Sequence, residues 1–338
     1  MICMTAPAPA TDALALVTAH DAAIVAVVIP CYRVGDAVFR VIKGIGPEVH
    51  RIYVIDDCCP EKTGDRIEKD CDDPRVVVVR HPVNKGVGGA VITGYTHAAS
   101  DGATVVVKLD GDGQMDPTLI PRFIRPILEG RADYTKGNRF YRLSSLRGMP
   151  PIRLFGNAVL SFLTKFSSGY WQVFDPTNGY TAIHGALLRH MPLDKVAQDY
   201  FFESDMLFRL NTLRAVVRDI PMDAVYADEV SGLKIGKVIP RFLARHTVNL
   251  AKRIFYNYFL RDFQVASLAL MLGLPLTLTG MLFGISAWHE SAAQGVATPA
   301  GTVMLAALPI LIGSQLLMLA MAYDMQNQPT LPAHKDIE

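Results

Sequence analysis

Cysteine is scarce in this chain and follows no pattern. The five residues, Cys3, Cys31, Cys58, Cys59 and Cys71, contain no Cys-x-x-Cys spacing and include a neighbouring pair that makes a poor disulfide. A thiolate metal site and a disulfide scaffold are thereby excluded, and the cysteines are assigned packing roles. An excess of one charge is also missing. The 33 Lys and Arg stand against 32 Asp and Glu, which leaves no field to draw nucleic acid. The first 22 residues are rich in Ala and Pro and lack the basic start of a signal peptide, so they read as a mobile tail. His81, His97, His184, His190 and His246 show no ligand spacing and read as structural. Charge is wholly absent from residues 265–288 and 301–323. Each stretch exceeds the roughly 20 residues that cross a bilayer core about 30 Å thick. They read as two membrane-spanning helices; a greasy hairpin inside a globular domain is the alternative. Pro275 and Pro309 lie within them, which a spanning helix tolerates.

Basic residues set the orientation. Arg241, Arg245, Lys252, Arg253 and Arg261 precede the first span, whereas the connecting loop, 289–300, contains Glu290 and no Lys or Arg. The positive-inside rule then places the large N-terminal part and the C-terminal tail in the cytoplasm, at the cell (inner) membrane. Residues 237–261 mix Phe, Leu, Ile and Tyr with Arg, Lys and His at helical spacing. That pattern predicts amphipathic helices lying on the cytoplasmic leaflet, with a core helix as the alternative. Two spans make a thin bundle, compatible with a homo-oligomer.

The N-terminal part alternates. Apolar runs at 24–29, 51–55, 75–80 and 103–107 read as buried strands, and 34–45, 63–71 and 90–100 read as helices, the last preceded by a glycine turn at 84–89. This order predicts an α/β fold with a mostly parallel, doubly wound sheet. Further on, 118–129 reads as a helix, 133–136 as a strand, 150–167 as an amphipathic helix and 175–180 as a turn. Residues 202–214 read as a helix opening on Glu203 and Asp205. The expected layout is a tail at 1–22, a catalytic domain at 23–236, juxtamembrane helices at 237–262, the spans within 263–324, and a cytoplasmic tail at 325–338.

The run Lys108-Leu109-Asp110-Gly111-Asp112-Gly113-Gln114 follows the strand at 103–107. In an open α/β sheet ligands bind at such carboxyl ends. Two carboxylates one residue apart, among glycines, can converge on one hard cation shared with substrate phosphates, usually Mg²⁺. A solvated Asp-Gly turn is an equally open reading of the local string.

Other residues complete an ordered set: Pro30-x-Tyr32, Asp56-Asp57, Asn84-Lys85-Gly86-x-Gly88-x-Ala90 and Asp110-x-Asp112-x-Gln114. The set resembles glycosyltransferase family 2, the inverting enzymes of the GT-A (Rossmann-like) fold. The amphipathic helices and two C-terminal spans resemble its polyprenyl-phosphate branch, the relatives of dolichyl-phosphate mannose synthase. The resemblance implies a nucleotide-sugar donor, a polyprenyl phosphate acceptor, a Mg²⁺ or Mn²⁺ cofactor and a lipid bilayer as partner. It places Pro30 and Tyr32 at the nucleoside, Asp56 and Asp57 at base and ribose, Lys85 and Gly86 beside the nucleotide, and Asp110, Asp112 and Gln114 on the metal. It puts Arg139 near the acceptor phosphate. Glu203 and Asp205 match an acid often found near sugar or acceptor, although first-turn acids can equally serve the helix dipole. Two positions depart from the family: Arg33-Val34 stand where Asn-Glu is frequent, and Cys58-Cys59 where Gly-Ser is frequent.

The chemistry runs in parallel. A nucleotide-sugar leaves as a diphosphate, and a divalent cation stabilises the charge it gains. A phosphate acceptor is already anionic, so it needs no general base but does need cations. Arg139, Arg142, Arg147, Lys234 and Lys237 are the candidates, Arg for its planar fork. Trp171 and the apolar face of 150–167 could shape a lipid groove or simply pack. Two other functions stay in play: extension of a membrane-associated polysaccharide, and a non-catalytic membrane recruitment subunit. The chain has no Gln-x-x-Arg-Trp motif, which speaks against the first, and an intact acidic set, which speaks against the second.

Overall fold

The computed structural model describes residues 23–141, 151–223 and 235–337. Seven strands form one sheet in the order β3-β2-β1-β4-β6-β5-β7. The first four are β1 (Val25–Cys31), β2 (Arg51–Asp56), β3 (Val76–Arg80) and β4 (Val105–Lys108), all parallel. They are the β-branched runs read from the sequence, and β1, β2 and β4 are buried on both faces. Helices α1 (Ala37–Gly44), α2 (Thr63–Asp70) and α4 (Ile120–Leu128) contribute to the core on one face, through Val41, Ile67 and Phe123. Helix α3 (Gly86–Ser100) covers the other face through Val91 and Tyr95.

The second half is less regular. β5 (Tyr134–Asn138) and β7 (Val217–Pro221) are parallel to each other, and β6 (Thr181–His184) runs antiparallel between β4 and β5. Helices α5 (Pro151–Ser168), α6 (Gly185–His190) and α7 (Phe202–Thr212) complete this half. Because β6 is reversed, its start lies at the same end of the sheet as the carboxyl ends of β1, β2, β4 and β5. The order also reverses between β1 and β4, the switch point where open α/β sheets hold ligands. One expectation needs correction. The glycine run is no separate turn before a helix at Ala90; α3 begins at Gly86, because the Asp57 carboxylate accepts from the amides of Lys85 and Gly86 at 2.8 Å each.

The chain divides into two compact units, Met1–Asn249 with Pro329–Glu338, and Leu250–Gln328. Helix α8 (Ile235–Phe255) is followed by a π-helical turn at Tyr256–Arg261, then by α9 (Val265–Ala293) and α10 (Ala300–Gln326). At 29 and 27 residues, α9 and α10 are long and apolar enough to cross a membrane, and both run past the limits read from sequence. They pack closely: a Cβ at Gly313 would lie 2.4 Å from the Thr277 hydroxyl. Asp324, near the end of α10, is buried in an ion pair with Arg253 at 2.5 Å and accepts from the Tyr258 hydroxyl at 2.6 Å. Burial of such a charge is tolerated because it is paired and hydrogen-bonded.

The residues after α10 return to the first unit. Asp133 is fully buried at the start of β5. Its carboxylate accepts from the amides of Ala333, His334 and Val216, at 2.8, 2.9 and 2.7 Å, and contacts His334 Nδ1 at 2.7 Å. The His334 ring stacks on His184, centroids 4.2 Å apart, and a short helix, α11 (His334–Ile337), follows the contact.

Candidate active site

The carboxyl end of β4 carries a buried cation beside a partly open acid. Lys108, 1% exposed, lies 2.9 Å from Asp110 and 3.3 Å from Glu203, and donates to the Gly179 carbonyl at 3.2 Å. Burial alone would lower its pKa, but Asp110 and Glu203 outweigh burial and hold it above the ordinary lysine range. The Asp110 side chain keeps 28% exposure. Gly179 is required where it stands, since a Cβ there would meet the Lys108 ammonium at 2.5 Å and Asp110 at 2.6 Å. Asp112 is half-buried two residues on, and its carboxylate accepts from the Gln114 amide at 2.9 Å.

The other acidic pair is turned inward. Asp56, at the end of β2, accepts from the amides of Cys59 and Gly64, both at 2.7 Å. Asp57 binds the start of α3, as above, and lies 2.6 Å from His81 Nδ1. The two are 5% and 2% exposed. Lys85 and Gly86 therefore sit on the helix end that Asp57 holds. Gly88 lets α3 approach the 197–198 backbone: a Cβ there would lie 2.4 Å from the Ala197 carbonyl. Pro30 is half-buried at the end of β1, and Tyr32 is exposed beside Arg33.

Arg139 follows β5 and is clamped by Asp175. Nε and Nη2 reach the two carboxylate oxygens at 2.8 and 3.1 Å, with Asp175 fully buried and Arg139 about one-third exposed. A bidentate pair of this kind fixes the guanidinium plane. The two acids of α7 separate as their spacing requires. Glu203 faces Lys108. Asp205 accepts from the Ala197 amide, Arg209 and Asn249, each at 3.0 Å, and so ties α7 to the preceding loop and to α8. Sequence reasoning missed Lys108, Lys136 and Asp175 as site residues. Lys136 is fully buried on β5, and burial pushes its pKa down to about 8 despite Glu203 and Asp175. Arg142, Arg147 and Lys234 lie outside the described residues, as does the side chain of Lys237.

Among the described residues no three His, Cys, Asp or Glu gather to hold a metal unaided. The set on offer is Asp110, Asp112 and Gln114, all oxygen donors. Oδ1 of Asp110 is held by the Lys108 ammonium at 2.9 Å, while the side chain keeps 28% exposure. A partial oxygen set fits Mg²⁺ or Mn²⁺, which complete their shells with water and substrate phosphate.

The family described as Glycosyl transferase family 2 matches residues 26–196, half the chain. The UDP-N-acetylglucosamine–dolichyl-phosphate N-acetylglucosaminyltransferase of Methanococcus voltae is 32% identical over 46% of this chain. The match spans 61% of that protein's own length. The undecaprenyl-phosphate mannosyltransferase of Micrococcus luteus is 28% identical over 56% of this chain and 79% of its own. The dolichol-phosphate mannosyltransferase of Pyrococcus furiosus is 26% identical over 68% and 64%. Among solved structures, glucosyl-3-phosphoglycerate synthase from Mycobacterium tuberculosis, in complex with Mn²⁺, UDP-glucose and phosphoglyceric acid, aligns with TM-score 0.52 at 20% identity. The alignment covers 74% of this chain and 86% of that one. At that identity the likeness speaks to the fold, and the fold is GT-A.

Proposed function

Because the chain belongs to glycosyltransferase family 2, we propose that it transfers one sugar from a nucleotide-sugar to a polyprenyl phosphate at the cytoplasmic face of the cell membrane. The observation that carries this reading is the meeting of Asp110, Glu203 and the Arg139–Asp175 pair at one end of the sheet, in a chain with two helices fit to span a bilayer. The relatives named above act on dolichyl or undecaprenyl phosphate by their names.

Asp110, Asp112 and Gln114 would hold a divalent cation. When bound, that ion supplies Lewis-acid stabilisation of the departing diphosphate. The residues of the chain do the rest. Arg139, its plane fixed by Asp175, presents a cation to the acceptor phosphate, with Arg142 and Lys234 as further cations in this reading. The acceptor oxygen forms a bond to the anomeric carbon as the bond to the diphosphate oxygen breaks, with inversion. The acceptor carries no proton that must be removed, so no general base is required. Glu203 reaches toward the same space with its charge balanced by Lys108. Asp205, bound to Arg209 and Asn249, positions α7. Pro30, Tyr32, Lys85 and Gly86 border the nucleotide, and Asp56 and Asp57 shape its floor by holding the loops beneath it.

The test is to incubate the purified protein with a panel of GDP- and UDP-sugars, Mg²⁺ and undecaprenyl phosphate. A new lipid-linked monosaccharide is expected. Transfer only to a glycan chain would replace this reading with polysaccharide extension. The topology has its own check. A cysteine at Ser291 should react with a membrane-impermeant thiol reagent in intact cells, and one at Thr330 should not; the reverse pattern would move the donor side.

A further inference from the structure

Lys108 and Lys136 occupy one row of the sheet. Both are register partners of Thr181, Lys108 from β4 and Lys136 from β5, so their side chains rise from the same face at the same height. Both are buried, 1% and 0% exposed. A buried lysine is costly unless paired, so its acceptors matter. Lys108 donates to the Gly179 carbonyl and Lys136 to the adjacent Asn178 carbonyl. Two buried ammonium groups thus grip consecutive carbonyls of one turn, residues 175–180. The same turn carries Asp175, which clamps Arg139, and Asn178 Nδ2 reaches back to Asp175 at 3.4 Å. At its other end Lys108 touches Asp110 and Glu203.

We infer that Lys108 and Lys136 are positioning residues that lock the 175–180 turn to the end of β4, and so hold Arg139 in register with Asp110 across the sheet. The inference rests on the roles given above to Asp110 on the donor side and Arg139 on the acceptor side. It adds the part that sets the distance between them. Neither lysine touches substrate in this scheme. Lys136 governs Arg139 through Asn178 and Asp175 and should affect acceptor use alone. Lys108 contacts both sides and should affect donor and acceptor together.

The test uses the full chain in detergent and has two arms. In the first, hydrogen–deuterium exchange is followed in Lys136→Met and Lys108→Met. Loss of a charge-assisted hydrogen bond should speed exchange of amides 177–180 by roughly tenfold or more, while β1 to β3 are unchanged. In the second, Lys136→Met should raise the KM for undecaprenyl phosphate by about tenfold with the nucleotide-sugar KM within about twofold. A pH profile separates positioning from bulk. Lys136 faces Glu203 from α7, Asp175 from the turn, Lys108 from β4 and Asp219 from β7, and its pKa sits near about 8. The wild-type acceptor KM should therefore rise between about pH 7 and about pH 9 at constant donor KM, and that rise should vanish in Lys136→Met. Should a lysine variant fail to fold, the wild-type profile still decides. Unaltered exchange at 177–180, or donor and acceptor KM moving together in Lys136→Met, overturns the inference. If wild type moves no sugar to undecaprenyl phosphate, the functional reading falls and the exchange arm alone decides the lock.

Discussion

Two acidic pairs close neighbouring parts of the same sheet end, and they do opposite things. Asp56 and Asp57 are buried, and each carboxylate is occupied by two backbone amides. Asp110 remains partly open, with an ammonium in place of amides, and Asp112 is half-buried beside it. Both pairs follow an apolar run, and both look alike as letters. The difference lies in what surrounds them. A carboxylate held by amides is already neutralised by fixed dipoles and shapes loops. One balanced by a single lysine keeps an oxygen for something that arrives.

That contrast can be broken by removing one acid at a time. The largest effect is expected at Asp110→Asn. Lewis-acid stabilisation amounts to several kcal/mol, so transfer should fall by roughly a hundredfold to a thousandfold. The buried Lys108 ammonium would keep Glu203 and the Gly179 carbonyl but lose its nearer carboxylate charge, so a lower melting temperature should accompany the loss of transfer; full activity in an EDTA-treated, Mg²⁺-restored assay would remove Asp110 from the metal. Asp57→Ala should act mainly on stability. It leaves the Lys85 amide and His81 Nδ1 without their acceptor, while the Gly86 amide keeps Asn84 Oδ1 at 3.0 Å; at about 1–3 kcal/mol for a buried donor, a loss on the order of 3 kcal/mol in denaturant unfolding is expected. Unchanged stability would mean the amides find other partners.

Arg139 sharpens the comparison from the cationic side. Arg139→Ala would leave Asp175 buried and unpaired, confusing stability with function. Arg139→Lys keeps the charge and loses the planar fork. The acceptor KM should rise by roughly tenfold, the worth of a charge-assisted hydrogen bond. A fall in nucleotide affinity at constant acceptor KM would place Arg139 on the donor side instead.

The smallest effect is a pH dependence of stability. Burial lowers His184 and His246 to about 4. The unfolded chain takes up their protons from about pH 6.5 downward and the folded chain does not, so their contribution is lost as pH falls from about 6.5 to about 4. Asp219, raised to about 6 by burial, works the other way over the same range. Two histidines against one aspartate leave a net loss, read as a lower melting temperature in acid. A flat or rising profile would show that one of the rings is charged in the fold.

The parallel half of the sheet was legible because its strands are apolar runs rich in Val and Ile, buried on both faces in β1, β2 and β4. The other half was not. β6 is four residues, Thr-Ala-Ile-His, and β7 reads Val-Arg-Asp-Ile-Pro, with no alternation and a proline at its end. In the candidate site, the place of Asp110 just past the end of β4 was legible from the apolar run before it. Lys108 and Lys136 were not, because a lysine in a strand is ordinarily read as exposed, and their burial depends on carbonyls some 40 to 70 residues away. Asp175 was hidden for the same reason: its turn looks solvated until Arg139 closes on it.

The docking of His334 on Asp133 has a consequence for counting. The segment 250–328 leaves and re-enters one compact unit. Whatever its orientation, a segment with both flanks in a single folded body must cross a bilayer an even number of times. Parity is thus enforced by a histidine and an aspartate about 200 residues apart, with no appeal to the charges of the loops. An odd number of crossings would require that contact to break.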